Sequence, residues 1–141
     1  MFTPTRDEAR CYFFGVWAKH RAGETLEPME RLCLAVILEH PEYHKLLDDP
    51  ERNLQRDWTP ESGESNPFLH LSLHVAIEEQ LSIDQPPGIR AACDALEVRL
   101  GNRHEARHGV LECLAETIWS AQRHGTAFDV AGYLDCLRSR A

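Results

Sequence analysis

The chain has no apolar run long enough to cross a membrane. Its longest, Cys11–Ala18 with Gly15 inside it and Leu32–Leu38, fall far short of the roughly 20 residues a spanning helix needs. It also lacks any lysine or arginine run, and its 15 basic against 23 acidic residues give a formal charge of −8. An acidic surface repels phosphate backbones and anionic headgroups, so neither a nucleic-acid nor a membrane partner is expected. The N-terminus, Met1-Phe-Thr-Pro-Thr-Arg-Asp-Glu-Ala-Arg10, is too charged for a secretory signal, which leads to the expectation of a cytoplasmic protein. There is no Gly-rich phosphate loop, no Gly-x-Ser-x-Gly elbow and no His-Glu-x-x-His zincin signature. The five cysteines (Cys11, Cys33, Cys93, Cys113, Cys136) are odd in number and form no Cys-x-x-Cys pair. That pattern predicts small buried residues rather than a disulfide framework or a thiolate zinc site.

Strand-type alternation is missing as well, whereas helix starts and stops recur along the whole length. At 141 residues the chain has the size of one domain, so the expectation is a single all-α domain over residues 1–141, a bundle of five to seven helices. Helices are predicted over about Arg6–Arg21, with Tyr12, Phe13, Phe14 and Trp17 as core, and from Pro28 through Leu38 towards His40. Pro41 there removes a hydrogen bond and clashes with the carbonyl four residues back, so a kink or helix break between His40 and His44 is expected. Asp48–Ser65 reads as a long polar connection. Asn66-Pro67 pairs a capping side chain with a first-turn proline and opens a helix to about Ser82. Further helices are predicted over Ile89–Leu100, over Arg103–Arg123 with Asn102 as cap and Gly125 as stop, and over Val130–Arg138.

What is abundant is histidine at one spacing. Six of the eight histidines form three i, i+4 pairs: His40/His44, His70/His74 and His104/His108. Four residues on a helix bring two side chains to one face, and that face also carries Cys33, Val36, Ile37 and Leu47 for the first pair. Leu73, Ile77 and Leu81 accompany the second, and Leu111, Ala115 and Trp119 the third. Two ladders continue to a carboxylate in register, His70-x-x-x-His74-x-x-x-Glu78 and His104-x-x-x-His108-x-x-x-Glu112. Imidazole is the commonest protein metal ligand, and facing helices assemble such sites inside bundles. His40, His44, His70, His74, Glu78, His104, His108 and Glu112 are therefore the candidate ligands of a divalent transition metal, zinc or else iron or manganese. A ladder rises about 12 Å over eight residues, too far for one ion to take all of it. The alternatives are a dinuclear centre bridged by Glu78 or Glu112 and a mononuclear three-histidine site. His20 and His124 lie near helix C-termini, where the helix dipole favours a surface cation.

Leu38-Glu-His-Pro-Glu-Tyr-His44, Arg56-Asp-Trp-Thr-Pro60, Asn66-Pro-Phe-Leu-His-Leu-Ser-Leu-His74 with Glu79-Gln80, and Leu111-Glu-Cys-Leu-Ala-Glu-Thr-Ile-Trp119 together resemble the uncharacterised bacterial family domain of unknown function 1841, over nearly the entire chain. The His-x-x-x-His and His-x-x-x-Glu patterns are also similar, more loosely, to the hemerythrin-like and DinB-like metal bundles, whose pattern is matched best by His70, His74, His108 and Glu112. That likeness implies a helical bundle holding one or two metal ions. A hydrolytic or redox role follows if the metal keeps an open position, with metal-bound water as nucleophile and Glu78 or Glu112 as base. The reading from another class is a non-catalytic adaptor whose histidines form a buried hydrogen-bond network. The residues name neither a small-molecule nor a protein partner.

Overall fold

The computed structural model describes residues 6–58 and 66–141, and among them every regular element is helical. In chain order these are α1 (Arg6–Arg21), α2 (Pro28–Leu38), a 3-10 turn (Pro41–Tyr43), α3 (His44–Leu47), α4 (Pro50–Asn53), α5 (Pro67–Ile83), α6 (Ile89–Leu100), α7 (Arg103–His124) and α8 (Val130–Arg140). The fold class is all-α, as the absence of alternating runs implied. No helix among the described residues is long and apolar enough to cross a membrane. The chain divides into two compact units, Met1–Val75 and Ala76–Ala141.

The first unit is organised by aromatic residues. Phe13, Phe14, Val16 and Trp17 of α1 pack with Cys33, Val36 and Ile37 of α2, Leu47 of α3, and Phe68, Leu71 and Val75 of α5. Arg10 is buried among them and anchors the chain that follows α4. Its Nη1 donates to the carbonyls of Leu54 at 2.9 Å and Arg56 at 2.7 Å, while its guanidinium lies over Phe68 and Trp58, a cation–π arrangement. Burial lowers the Arg10 pKa. The helix starts follow the cap chemistry. Asn66 Oδ1 accepts from the N–H of Phe68 and of Leu69, and Glu30 accepts from the Glu27 N–H at 2.9 Å while its other oxygen takes Lys19 Nζ at 2.7 Å.

The stretch from His44 to Asn53 carries two four-residue helices that the histidine and proline pattern did not reveal. Asp49-Pro50, which falls in the expected polar connection, is a cap followed by a first-turn proline: Asp49 Oδ1 accepts from Arg52 N at 3.2 Å. Hydrophobic periodicity needs about three turns to register, so single turns pass unseen. The remainder of the polar connection, 59–65, and residues 1–5 lie outside the described residues.

In the second unit α6, α7 and α8 pack on one another through Ile89, Ala92, Cys93, Leu96, Ala106, Val110, Cys113, Leu114, Tyr133, Leu134 and Leu137. Asn102 caps α7 by accepting from Glu105 N at 3.0 Å, and Gly101 and Gly125 end α6 and α7 at positive φ. Two expectations are corrected here. Trp119 is 57 % exposed, because the core face of α7 runs through Ala106, Val110, Cys113 and Leu114, one position round from the stripe that the histidines suggested. Cys113 and Cys136 are joined in a disulfide, a pairing that helix–helix packing creates and that an odd cysteine count with no short spacing concealed. Cys33 and Cys93 are buried thiols, while Cys11 is exposed.

Glu30 links the α1–α2 packing to pH. The hydrogen bond from Lys19, and then that from the Glu27 N–H, hold its carboxyl below the usual carboxylate range. A depressed folded pKa contributes stability that is present above the unfolded value of about 4.3 and is lost as pH falls through the folded one. Urea midpoints of wild type and Glu30→Gln should therefore differ at pH 6 and converge between about pH 5 and 3, wild type being the more stable at the upper end.

Candidate metal centre

His40 owes its position to a helix that stops early. α2 ends at Leu38, and Pro41, which has no N–H to continue the ladder, opens the 3-10 turn instead, leaving His40 at φ −126° and ψ 65°. From there the ring folds back on its own helix, and Nδ1–H donates to the Val36 carbonyl at 2.8 Å. A carbonyl can only accept, so in the neutral ring the Nε2 carries the lone pair. A backbone carbonyl behind the distal nitrogen is the usual device for aiming a histidine at a metal. Tyr43 stacks parallel to His40 with ring centroids 5.7 Å apart.

The other two rings come from the first half of α5. His70 and His74, one turn apart, bring their Nε2 atoms to 3.2 Å. The His40 ring centroid stands 5.0 Å from that of His70 and 4.5 Å from that of His74, at interplanar angles of 76° and 57°. Each of the three offers a ring nitrogen within 4.8 Å of those of the other two. His40 and His74 are fully buried and His70 is half-buried. Inclined rings whose nitrogens converge are the arrangement that facial coordination of a single ion requires.

His44 lies across the Pro41 break from His40. Its Nε2–H donates to the Ile37 carbonyl at 2.8 Å, and its ring stacks on Trp17 at 4.4 Å, whose indole N–H donates to Asp48 at 2.6 Å. In the second unit, Glu78 Oε1 receives Arg107 Nε at 2.8 Å and stands 3.6 Å from Arg103. Arg107 also donates to Cys93 Sγ at 2.8 Å. Burial is the largest single effect on Arg107 and works against its charge, but the hydrogen bond to Glu78 together with the electrostatic attraction of Cys93, Glu78 and Glu97 outweighs it and leaves the pKa raised. His104 and His108 meet edge to face with centroids 4.2 Å apart. Glu112 is exposed and paired with Arg140. Arg107 went unnoticed in the sequence because no spacing rule links it to Glu78 or Cys93, and Tyr43 because its i, i+3 relation to His40 is read only along a regular helix, which Pro41 interrupts.

The profile of the family described as domain of unknown function (DUF1841) matches residues 5–139. The chain belongs to this family. No curated protein and no solved structure matches the chain, so the looser likeness to hemerythrin-like and DinB-like bundles rests on histidine spacing alone. DUF1841 membership brings no reaction and no ligand set with it, and the functional reading has to come from the residues.

The different surroundings of His40 and His44 give a direct comparison. His44→Ala removes a stacked ring and one hydrogen bond to a part-buried carbonyl, and should cost about 1–3 kcal/mol of stability, read as a lowered urea midpoint. On this geometry it should leave metal affinity, measured by competition with a chromophoric chelator, within a few-fold of wild type.

Proposed function

We propose that this protein binds one transition-metal ion through Nε2 of His40, His70 and His74. The observation that carries the proposal is the convergence of three imidazoles from two separate elements, with the tautomer of one fixed by the Val36 carbonyl. In tetrahedral coordination with metal–nitrogen bonds of about 2.0–2.1 Å, two ligand nitrogens stand about 3.3–3.4 Å apart, close to the 3.2 Å between His70 and His74. An all-imidazole set suits zinc or iron better than manganese, which prefers oxygen donors. One ion is favoured over two because the carboxylates that the ladders offered as bridges, Glu78 and Glu112, are engaged by Arg107 and Arg140. A metal in such a site supplies Lewis acidity wherever a coordination position is left to water or substrate.

A second reading is favoured by the same 3.2 Å contact. A direct hydrogen bond between His70 and His74 needs one Nε2–H and one Nε2 lone pair, whereas a shared metal needs lone pairs on both. In that case the histidines form a buried polar network in a non-catalytic adaptor.

Elemental analysis of untagged protein from metal-replete medium separates the two. The metal reading expects stoichiometric zinc or iron, and a melting temperature that falls on chelation, since a ligand at a hundred times its Kd adds about 2.7 kcal/mol. His40→Ala, His70→Ala and His74→Ala should each weaken binding by more than the 10–100-fold that outer-shell changes cost. His20→Ala and His124→Ala should retain it. His108, expected from its spacing to be a ligand, is assayed alongside by His108→Ala. Trace metal together with a melting curve indifferent to chelator would leave the hydrogen-bond network as the account.

A further inference from the structure

The two sulfurs of the Cys113–Cys136 disulfide differ in access. Cys113 is fully buried in the core face of α7, whereas Cys136, on α8, lines an open cleft of about 420 Å³ together with Glu116, Trp119, Thr126, Ala127 and Asp129. Disulfides that only brace a fold resist reduction, whereas exposed ones are the labile, regulatory or catalytic ones. The cleft also has an unusual surface for a charged helical protein. Trp119 is exposed on it, and Phe128 and Val130 are exposed on the chain that follows. A carboxylate stands beside the accessible sulfur, Glu116 Oε2 lying 4.0 Å from Cys136 Sγ. None of this is used by the histidine cluster.

We propose that Cys113–Cys136 is a thiol–disulfide exchange site, entered at Cys136 and reduced by a dithiol, with Glu116 governing the rate of attack. The reductant's thiolate attacks Cys136 Sγ, a new S–S bond forms there, and the Cys113–Cys136 bond breaks with its electron pair going to Cys113 Sγ, which takes a proton from water. The reductant's second thiolate then attacks its own sulfur in the mixed disulfide and closes its own disulfide. Cys136 leaves as a thiolate and is protonated, its S–H then within reach of the Glu116 carboxylate. Two electrons and two protons pass from the dithiol to the cysteine pair. Access selects Cys136 over Cys113, and the negative charge of Glu116 slows the anionic attacker. At 4 Å in a water-like medium that repulsion is worth about fivefold in rate, less as salt screens it.

The test uses the full chain, equilibrated with oxidised glutathione, with Cys11 blocked by N-ethylmaleimide under native conditions. Glutathione at pH 7.5 should then place one glutathionyl group on the peptide containing Cys136 and none on that containing Cys113, and dithiothreitol should release both thiols without denaturant. Glu116→Gln, a surface change that leaves the packing intact, should speed reduction two- to fivefold at low salt, the gain shrinking as salt is added. Failure of the disulfide to form, its persistence in dithiothreitol until the protein is unfolded, adduct formation at Cys113, or an unchanged rate in Glu116→Gln would each overturn the proposal.

Discussion

The early end of α2 is the constraint on which the histidine cluster depends. Had the helix run on through residue 44, His40 and His44 would share one face and one fate. Pro41 prevents this by withholding an N–H and occupying the space of a preceding carbonyl. The chain turns through a 3-10 segment, His40 folds back to donate to Val36, and His44 swings to Trp17 and the Ile37 carbonyl. Both rings thereby add a second donor to carbonyls at the C-terminus of α2, which otherwise accept only the tighter terminal bonds from the N–H groups of Glu39 and His40. One residue type does two jobs here: His44 seals a helix end against the aromatic core, and His40 seals it while presenting Nε2 to the rings of α5.

The second unit solves a different problem, that of burying charge. Arg107 reaches Glu78 and Cys93 together, so a cation in the interior keeps an anion and a sulfur as partners, which buried charge requires. Burial pushes the Cys93 thiol up despite that arginine, and pushes the Tyr133 phenol up as well. Tyr133 therefore stays a neutral donor, to Gln80 at 2.7 Å. This network takes Glu78 out of the histidine ladder that its spacing suggests. The i, i+4 rule identifies neighbours along a helix, but a carboxylate goes to whichever cation tertiary packing brings nearest.

Much of the fold was legible because it rests on local chemistry. Asn66-Pro67, Asn102, Gly101 and Gly125 mark helix ends by cap geometry that involves only adjacent residues, and the structure puts the ends of α5, α6 and α7 at or within a residue or two of those marks. The aromatic face of α1 was legible for the same reason. The two single-turn helices were not, being too short for periodicity to register, nor was the Cys113–Cys136 pairing, which depends on contacts made after the helices have docked. The cluster was legible in part. Spacing identified His70 and His74 as neighbours, and Pro41 marked where His40 and His44 part company, but neither could tell which of those two stays with the rings of α5, or that Arg107 claims Glu78.

The surroundings of a bound metal test the histidine centre most directly. X-ray absorption at the zinc edge, on untagged protein loaded with one equivalent of zinc, reads donor type and distance without reference to activity. Three imidazole ligands predict a shell of nitrogen or oxygen at about 2.0–2.1 Å, with the outer-shell scattering of histidine rings and no sulfur. A sulfur shell at about 2.3 Å, or a shell without imidazole scattering, would contradict a centre built from His40, His70 and His74.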